Sequence, residues 1–410
     1  MPRRRFTIPS LPEQVVDRPD QLAELVDHLR DCPVVGLDTE FVGEDTYRPD
    51  LCLVQVSTPD RLAVIDPMAM DSVDTFWELL LDPARTTVVH AGREECRMCR
   101  YAVGKPPATV FDVQLAAGLV GFTFPIGYAG LVQEVLGARA KKGETLTDWR
   151  RRPLTAAQIR YAFDDVRYLL PLHHWLTTRL KKLDRLGWAA EEFAGFVREW
   201  VTDEAAVEKW RRLKGLGGLS RRELAVARAV FGWREGFAAR VNRPPRTVIR
   251  DDLIVEIARR PPTRADDLAS LRGLPRGEAG AILAAICSAL DAPDDELPEP
   301  TERDWDPPHV AALAGLLSVV LTDVAARLRI APNLVATAQD LKGLVRARQP
   351  DGDLPADFPL AVGWRGEAIR PHLEAVLDGR TAVRVADPAS STPLTLLRVP
   401  APRRPDGDRV

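Results

Sequence analysis

Apolar positions gather early in the chain into three short runs, Val34 to Phe41, Leu51 to Ser57 and Leu62 to Asp66, separated by polar, proline-bearing turns. Runs of this length predict a strand meander. A further strand is predicted at Thr87 to His90, between a helical pattern over Val73 to Leu81 and another from Arg93, the alternation an α/β sheet requires. Beyond Phe111 the pattern turns mostly helical.

Thr155 and Gln158, following Pro153 and Leu154, are spaced as a capping box and predict a helix start. The apolar stripe that follows, Ile159, Ala162, Phe163, Val166, Leu169 and Leu170, predicts an inward face. From about residue 187 to 290 the pattern is helical throughout. Val226, Val230, Trp233 and Phe237 recur there at helical spacing and read as core. Residues 291–308 then hold eight acidic residues and five prolines against one arginine, which predicts a linker. Residues 309–400 return to a helical pattern without a chemical cluster, and the last ten read as a frayed tail.

A chain of 410 residues suggests two or three domains. The longest apolar stretch, Val310 to Leu321, reads as too short to span a membrane, and Met1 to Arg5 is followed by polar residues, so a cytoplasmic protein is expected. Five scattered cysteines do not form a disulfide framework. Cys96 and Cys99 form a C-x-x-C without a second pair at zinc spacing and read as small helix residues. No H-E-x-x-H and no G-x-x-x-x-G-K-[ST] occurs, which sets aside zincin proteases and P-loop ATPases.

The stretch Val34 to Phe41 is the most informative, because it puts Asp38 and Glu40 inside an otherwise apolar strand. At period two both point to one face. Two like charges so close stay ionised readily only around a cation, which a divalent metal would supply. D-x-E alone is a weak signal, equally compatible with a solvated strand end. A second acidic site lies on the helix after Thr155, where Tyr161 and Asp165 are about 40° apart on the side opposite the apolar stripe. Spacing does not choose between Asp164 and Asp165. Between these sites, His90-Ala91-Gly92-Arg93-Glu94-Glu95 passes from strand to helix, and Phe111-Asp112-Val113-Gln114 follows.

Asp38-Thr39-Glu40-Phe41, His90-Ala91-Gly92, Phe111 to Gln114, Asp148-Trp149 with Arg152 to Thr155, and Tyr161 to Asp165 together resemble the ribonuclease D family, in the tyrosine-bearing branch of the DEDD exonucleases. The resemblance spans about 170 residues, with all motifs in order. It implies a ribonuclease-H-like exonuclease domain, a mixed sheet flanked by helices, over residues 1–186. It also implies two divalent ions, Mg²⁺ or Mn²⁺, and 3′ to 5′ exoribonuclease activity releasing nucleoside 5′-monophosphates. Asp38, Glu40 and Asp165 would hold the metals and Tyr161 would orient the attacking water; Glu95 stands where the family usually has aspartate. One methylene longer, it can still ligate; Glu94 and Asp112 are possible substitutes, Asp112 reading more readily as structural.

A helical connector is expected over 187–210. Trp233-Arg234-Glu235, Asn242-Arg243-Pro244-Pro245 and Leu271 to Leu274 resemble an all-α HRDC domain, expected over 211–292, and an RNA-gripping role is implied by that resemblance. The linker then occupies 293–308, a mostly helical C-terminal domain 309–400 and the tail 401–410.

Near-neutral net charge requires local patches for nucleic acid. In one, Arg139, Lys141, Lys142, Arg150, Arg151 and Arg152 oppose only Glu144 and Asp148. In another, Arg228, Arg234, Arg240, Arg243, Arg246 and Arg250 oppose only Glu235. Phe41, His90, Lys141, Lys142 and Arg150 to Arg152 are the expected RNA contacts. The expected substrate is the 3′ end of structured RNA such as tRNA precursors, handled by a monomer without nucleotide cofactor. A DNA exonuclease, or an RNA-binding protein impaired by Glu95, is the alternative.

Overall fold

The computed structural model of the chain describes residues 10–140, 147–201, 208–269, 271–275, 277–300, 306–349 and 352–399. The predicted meander forms the centre of a mixed sheet: β2 (Val34–Val42), β3 (Asp50–Ser57) and β4 (Leu62–Ile65) are successively antiparallel. β5 (Thr86–Val89) lies parallel to β2, and β6 (Thr109–Asp112) parallel to β5. β1 (Glu13–Val16) completes the order β1-β4-β3-β2-β5-β6. Neither β1 nor β6 was predicted.

The sheet is covered on both faces. On one, α1 (Pro19–Arg30), α2 (Asp74–Leu79) and α3 (Arg93–Val103) pack Leu25, Trp77, Cys96 and Cys99 onto Val35, Leu37, Val54 and Val56. Both cysteines are thus core residues, as their spacing suggested. Next come α4 (Val113–Leu119), α5 (Tyr128–Leu136), α6 (Ala156–Arg167), α7 (Leu169–Lys182) and α8 (Leu186–Val201). The second face carries α6 and α7, whose Ala162, Phe163, Val166 and Leu172 belong to one core with Leu53. The capping box at Thr155 and Gln158 is present. Leu169 and Leu170, read as one stripe with α6, belong to a separate helix because Tyr168 breaks the two apart.

Gly36 in β2 has a steric reason. A Cβ there would sit 2.2 Å from the Ser57 hydroxyl and 3.1 Å from the Leu169 Cβ, so α7 closes on the sheet only because glycine leaves room.

Trp210, Val226, Val230, Ile254 and Ile282 build a second, all-helical core. The acidic segment is not wholly a free linker. Leu297 is buried in that core, and Arg221, Arg222 and Arg228 donate to carbonyls of residues 290–297. Arginine donors to backbone carbonyls offset the missing apolar residues there. The 301–305 part and the 401–410 tail lie outside the described residues.

The C-terminal segment shares its core with the sheet domain. Its first helix, Pro308–Leu328, has 21 residues and is long and apolar enough by composition to cross a membrane, so the length argument from Val310 to Leu321 fails. Val310, Leu317, Val320 and Val324 along it are core. The segment ends in a hairpin that the helical pattern did not predict, β7 (Thr381–Val385) and β8 (Leu394–Arg398).

Candidate active site

β2 runs past its neighbour. Its pairing with β5 covers only Val34 to Gly36, so from Asp38 onward that edge faces the turn leading into α3. A register shift between Glu40 and Phe41 on the β3 side bends the strand at the same place. A sheet that opens and bends there presents side chains from several elements at one notch.

Asp38 and Glu40 emerge from one face of β2, toward α6, which brings Tyr161 and Asp165. Glu95 reaches the notch from the first turn of α3, on the opposite face. It is buried, and its Oε1 accepts a 2.7 Å hydrogen bond from the Thr39 hydroxyl. All four acids are pushed toward the neutral form, chiefly by burial. Glu95 and Asp165 rise to about 7 and Glu40 to about 8, with Asp165 and Glu95 adding repulsion at Glu40. Asp38 is raised well above the usual carboxylate range by burial, then by Glu95, Asp165 and Glu40. The Tyr161 phenol is raised by burial and by Asp165; a hydrogen bond between these two side chains partly restrains the rise at Asp165.

The neighbouring acids have other engagements. Asp164 pairs with Arg167 at 2.9 Å and Glu94 with Arg97 at 3.1 Å. Asp112 is fully occupied with backbone: Oδ1 caps α4 at Gln114 and Leu115, and Oδ2 accepts from the Gly92 N–H. It thereby holds the β5–α3 turn that carries Glu95. Tyr128, missed in the sequence, does the same for α6. Its hydroxyl donates to the Asp164 carbonyl and accepts from the Tyr168 N–H at the helix break. No local pattern marks a tyrosine for such a long-range bond.

The donor set suits a hard cation: carboxylates only, crowded and desolvated, with the buried Asp165 Oδ2 lacking any hydrogen-bond partner. As the side chains stand, no three His, Cys, Asp or Glu among the described residues converge tightly enough to grip one ion. Glu95 is oriented at the notch by the Thr39 hydroxyl, which donates to its Oε1.

The expected RNA contacts divide. Phe41 is half-exposed beside the bulge. His90 lies with Nε2 2.9 Å from the Ile126 carbonyl and its ring edge-on to Tyr128. Arg150 is held by Asp45 and Asp148, and Arg152 by both oxygens of Asp66 at 2.6 and 2.7 Å, so neither guanidinium is free as the charge count implied. Arg151 is exposed, with Asp148 3.8 Å away. Lys141 and Lys142 lie outside the described residues. The second basic patch is also largely neutralised: Arg234 is buried on Asp251, Arg246 pairs with Asp251 and Arg250 with Asp252, acids just past the counted window. The helical module nevertheless adjoins the notch, because Asn242 Oδ1 accepts from the Tyr47 and Arg48 N–H groups in the turn after β2.

Residues 14–181 match the 3′-5′ exonuclease family and residues 223–290 the HRDC domain. Over 383 residues the chain is 38% identical to ribonuclease D of Acidiphilium cryptum, covering 92% of this chain and 96% of that one. It is 36% identical to ribonuclease D of Granulibacter bethesdensis over 93% of this chain and 96% of the other. The crystal structure of Escherichia coli RNase D, an exoribonuclease involved in structured RNA processing, superposes with a TM-score of 0.77 at 29% identity, covering 90% of this chain and 99% of that one.

Proposed function

This chain belongs to the ribonuclease D family and is a 3′–5′ exoribonuclease, and from that premise we propose that Asp38, Glu40, Glu95 and Asp165 hold two divalent ions, Mg²⁺ or Mn²⁺. The observation that carries this is the crowding of four desolvated carboxylates, which repel one another without a cation between them. Bound there, such a pair would activate water and stabilise the leaving 3′ oxygen of an in-line displacement.

The chain's own groups supply the rest. Tyr161, kept protonated by burial beside Asp165, donates its proton to that carboxylate and leaves its hydroxyl oxygen to accept from the water at the scissile phosphate, which orients it. Asp112 fixes the turn under Glu95, and Tyr128 fixes α6 under Asp165. Phe41 and Arg151 contact the RNA strand. The HRDC module, docked on the turn after β2, packs Trp233 and Phe237 against its core and leaves only their outer edges, with Arg240 over Phe237, to grip the body of the RNA. Structured RNAs such as tRNA precursors, met in the cytoplasm by a monomer, are the substrates this arrangement suits.

The test is digestion of matched RNA and DNA oligonucleotides with Mg²⁺ or Mn²⁺. RNA is shortened from its 3′ end to nucleoside 5′-monophosphates, and Asp38→Asn or Asp165→Asn abolishes it. Nucleotide release surviving in both variants, or independent of added metal in chelator, overturns the assignment.

A further inference from the structure

Beneath the carboxylates lies a polar side chain without a partner. Gln55 in β3 is the antiparallel register partner of Asp38, so the two side chains stand side by side on one face of the sheet. Gln55 is completely buried, and neither its Nε2 nor its Oε1 has a hydrogen-bond partner. Two residues on, the Ser57 hydroxyl is buried on the same face and also without one. A buried carboxamide with both ends unsatisfied is costly, whereas an apolar side chain of the same shape would be free of that cost. Its presence between a serine hydroxyl and an acid of the notch calls for a use.

We infer that Gln55 is a positioning residue for Asp38: when Asp38 ionises around a cation, a small turn of the Gln55 side chain lets its Nε2–H donate to the carboxylate and its Oε1 accept from the Ser57 hydroxyl. The direction of this relay is fixed chemically, since a carboxylate only accepts and only the amide nitrogen can donate to it. The serine hydroxyl, able to donate or accept, adapts to that direction and donates to Oε1. Gly36 belongs to the same device, because any larger residue would displace the Ser57 hydroxyl. The relay fixes the orientation of the Asp38 carboxylate once it ionises at the cation, and so favours the bound state. This inference rests on the reading of Asp38 as a metal ligand.

The test is calorimetric titration of Mn²⁺ into the full-length protein, wild type and variants, with thermal melts in chelator alongside. Gln55→Met keeps the length of the side chain and removes both hydrogen-bonding ends. It is expected to weaken Mn²⁺ binding about tenfold or more, while its melting temperature in chelator stays at or above that of wild type. Gln55→Asn keeps the carboxamide but withdraws it by one methylene, and is expected to weaken binding as well. Should Gln55→Met fail to fold, Gln55→Asn decides. Unchanged Mn²⁺ affinity in the folded variants, with Asp38→Asn losing it, overturns the role of Gln55 alone. A wild type that takes up no Mn²⁺ overturns the metal reading and this inference with it.

Discussion

The Thr39 hydroxyl donates to Glu95 Oε1 across 2.7 Å, joining β2 to the first turn of α3 at a point where both side chains are buried. Thr39 lies on the face of β2 opposite Asp38 and Glu40, the face that α3 covers, so the bond fixes Glu95 on that side of the strand. A glutamate is long enough to make it, and an aspartate at position 95 would fall short by about one methylene. Thr39→Val keeps the shape and deletes the donor. We expect it to weaken Mg²⁺ activation about tenfold, with Thr39→Ser close to wild type, read as the Mg²⁺ dependence of nucleotide release. Glu95→Ala should lower release by about a hundredfold or more; retention of wild-type rates would place Glu95 outside the site.

The raised carboxyl groups make stability depend on pH in a defined sense. Glu95, Asp165 and Glu40 rise to about 7, 7 and 8, whereas an unfolded chain titrates them near about 4. The folded protein therefore binds more protons between these limits. Their stabilising contribution is present below about pH 4 and is lost as pH rises through 7 and 8. In chelator the melting temperature should fall from pH 5 to pH 9, less steeply in Glu40→Gln. With Mn²⁺ the fall should shrink, because the cation replaces the protons, and Mn²⁺ affinity should rise over the same interval. Equal slopes in wild type and Glu40→Gln would refute this account.

Much of the site was legible because it is local. The period-two placement of Asp38 and Glu40, the helical placement of Tyr161 and Asp165, and the capping box at Thr155 each need only a few consecutive residues. Spacing along the helix does not separate Asp164 from Asp165, because what distinguishes them, Arg167 beside the one and Tyr161 beside the other, is a matter of three-dimensional contact. Charge counts misled for the same reason. Arg152 and Asp66 are 86 residues apart in the chain, so a window centred on either sees an unpaired charge. Gln55 was passed over as one polar residue in an apolar run, since its relation to Asp38 is a matter of strand register. The hairpin at residues 381–398 escaped because its strands are half-exposed and lack a buried face.

The two neighbouring arginines should behave oppositely. Arg152 grips Asp66 through two hydrogen bonds and also donates to the Cys52 and Trp149 carbonyls, tying the segment before α6 to the sheet. Its removal leaves Asp66 largely buried and unpaired, so Arg152→Ala should cost on the order of 2 kcal/mol by denaturant unfolding. Arg151 is exposed. Arg151→Ala should leave stability within about 0.5 kcal/mol of wild type and weaken RNA binding, most visibly at low salt. A stability loss at Arg151 equal to that at Arg152 would contradict the division.

The C-terminal segment is held to the catalytic domain by a buried charge that can be tested directly. Glu192 on α8 is 4% exposed. It accepts from the Trp364 indole at 2.7 Å and from both terminal nitrogens of Arg365, which also donates to the Leu334 and Val335 carbonyls. Breaking such a pair from one side strands the other charge, so Glu192→Ala should cost about 3–5 kcal/mol. Glu192→Gln keeps the shape and one acceptor and should cost less. Replacing both partners by apolar residues, Glu192→Leu with Arg365→Met, should recover much of the loss, because neither charge is then stranded. The shared core predicts that all these variants unfold in a single transition spanning both segments. A separate early transition for residues 306–399 in wild type would show instead that the segment folds on its own.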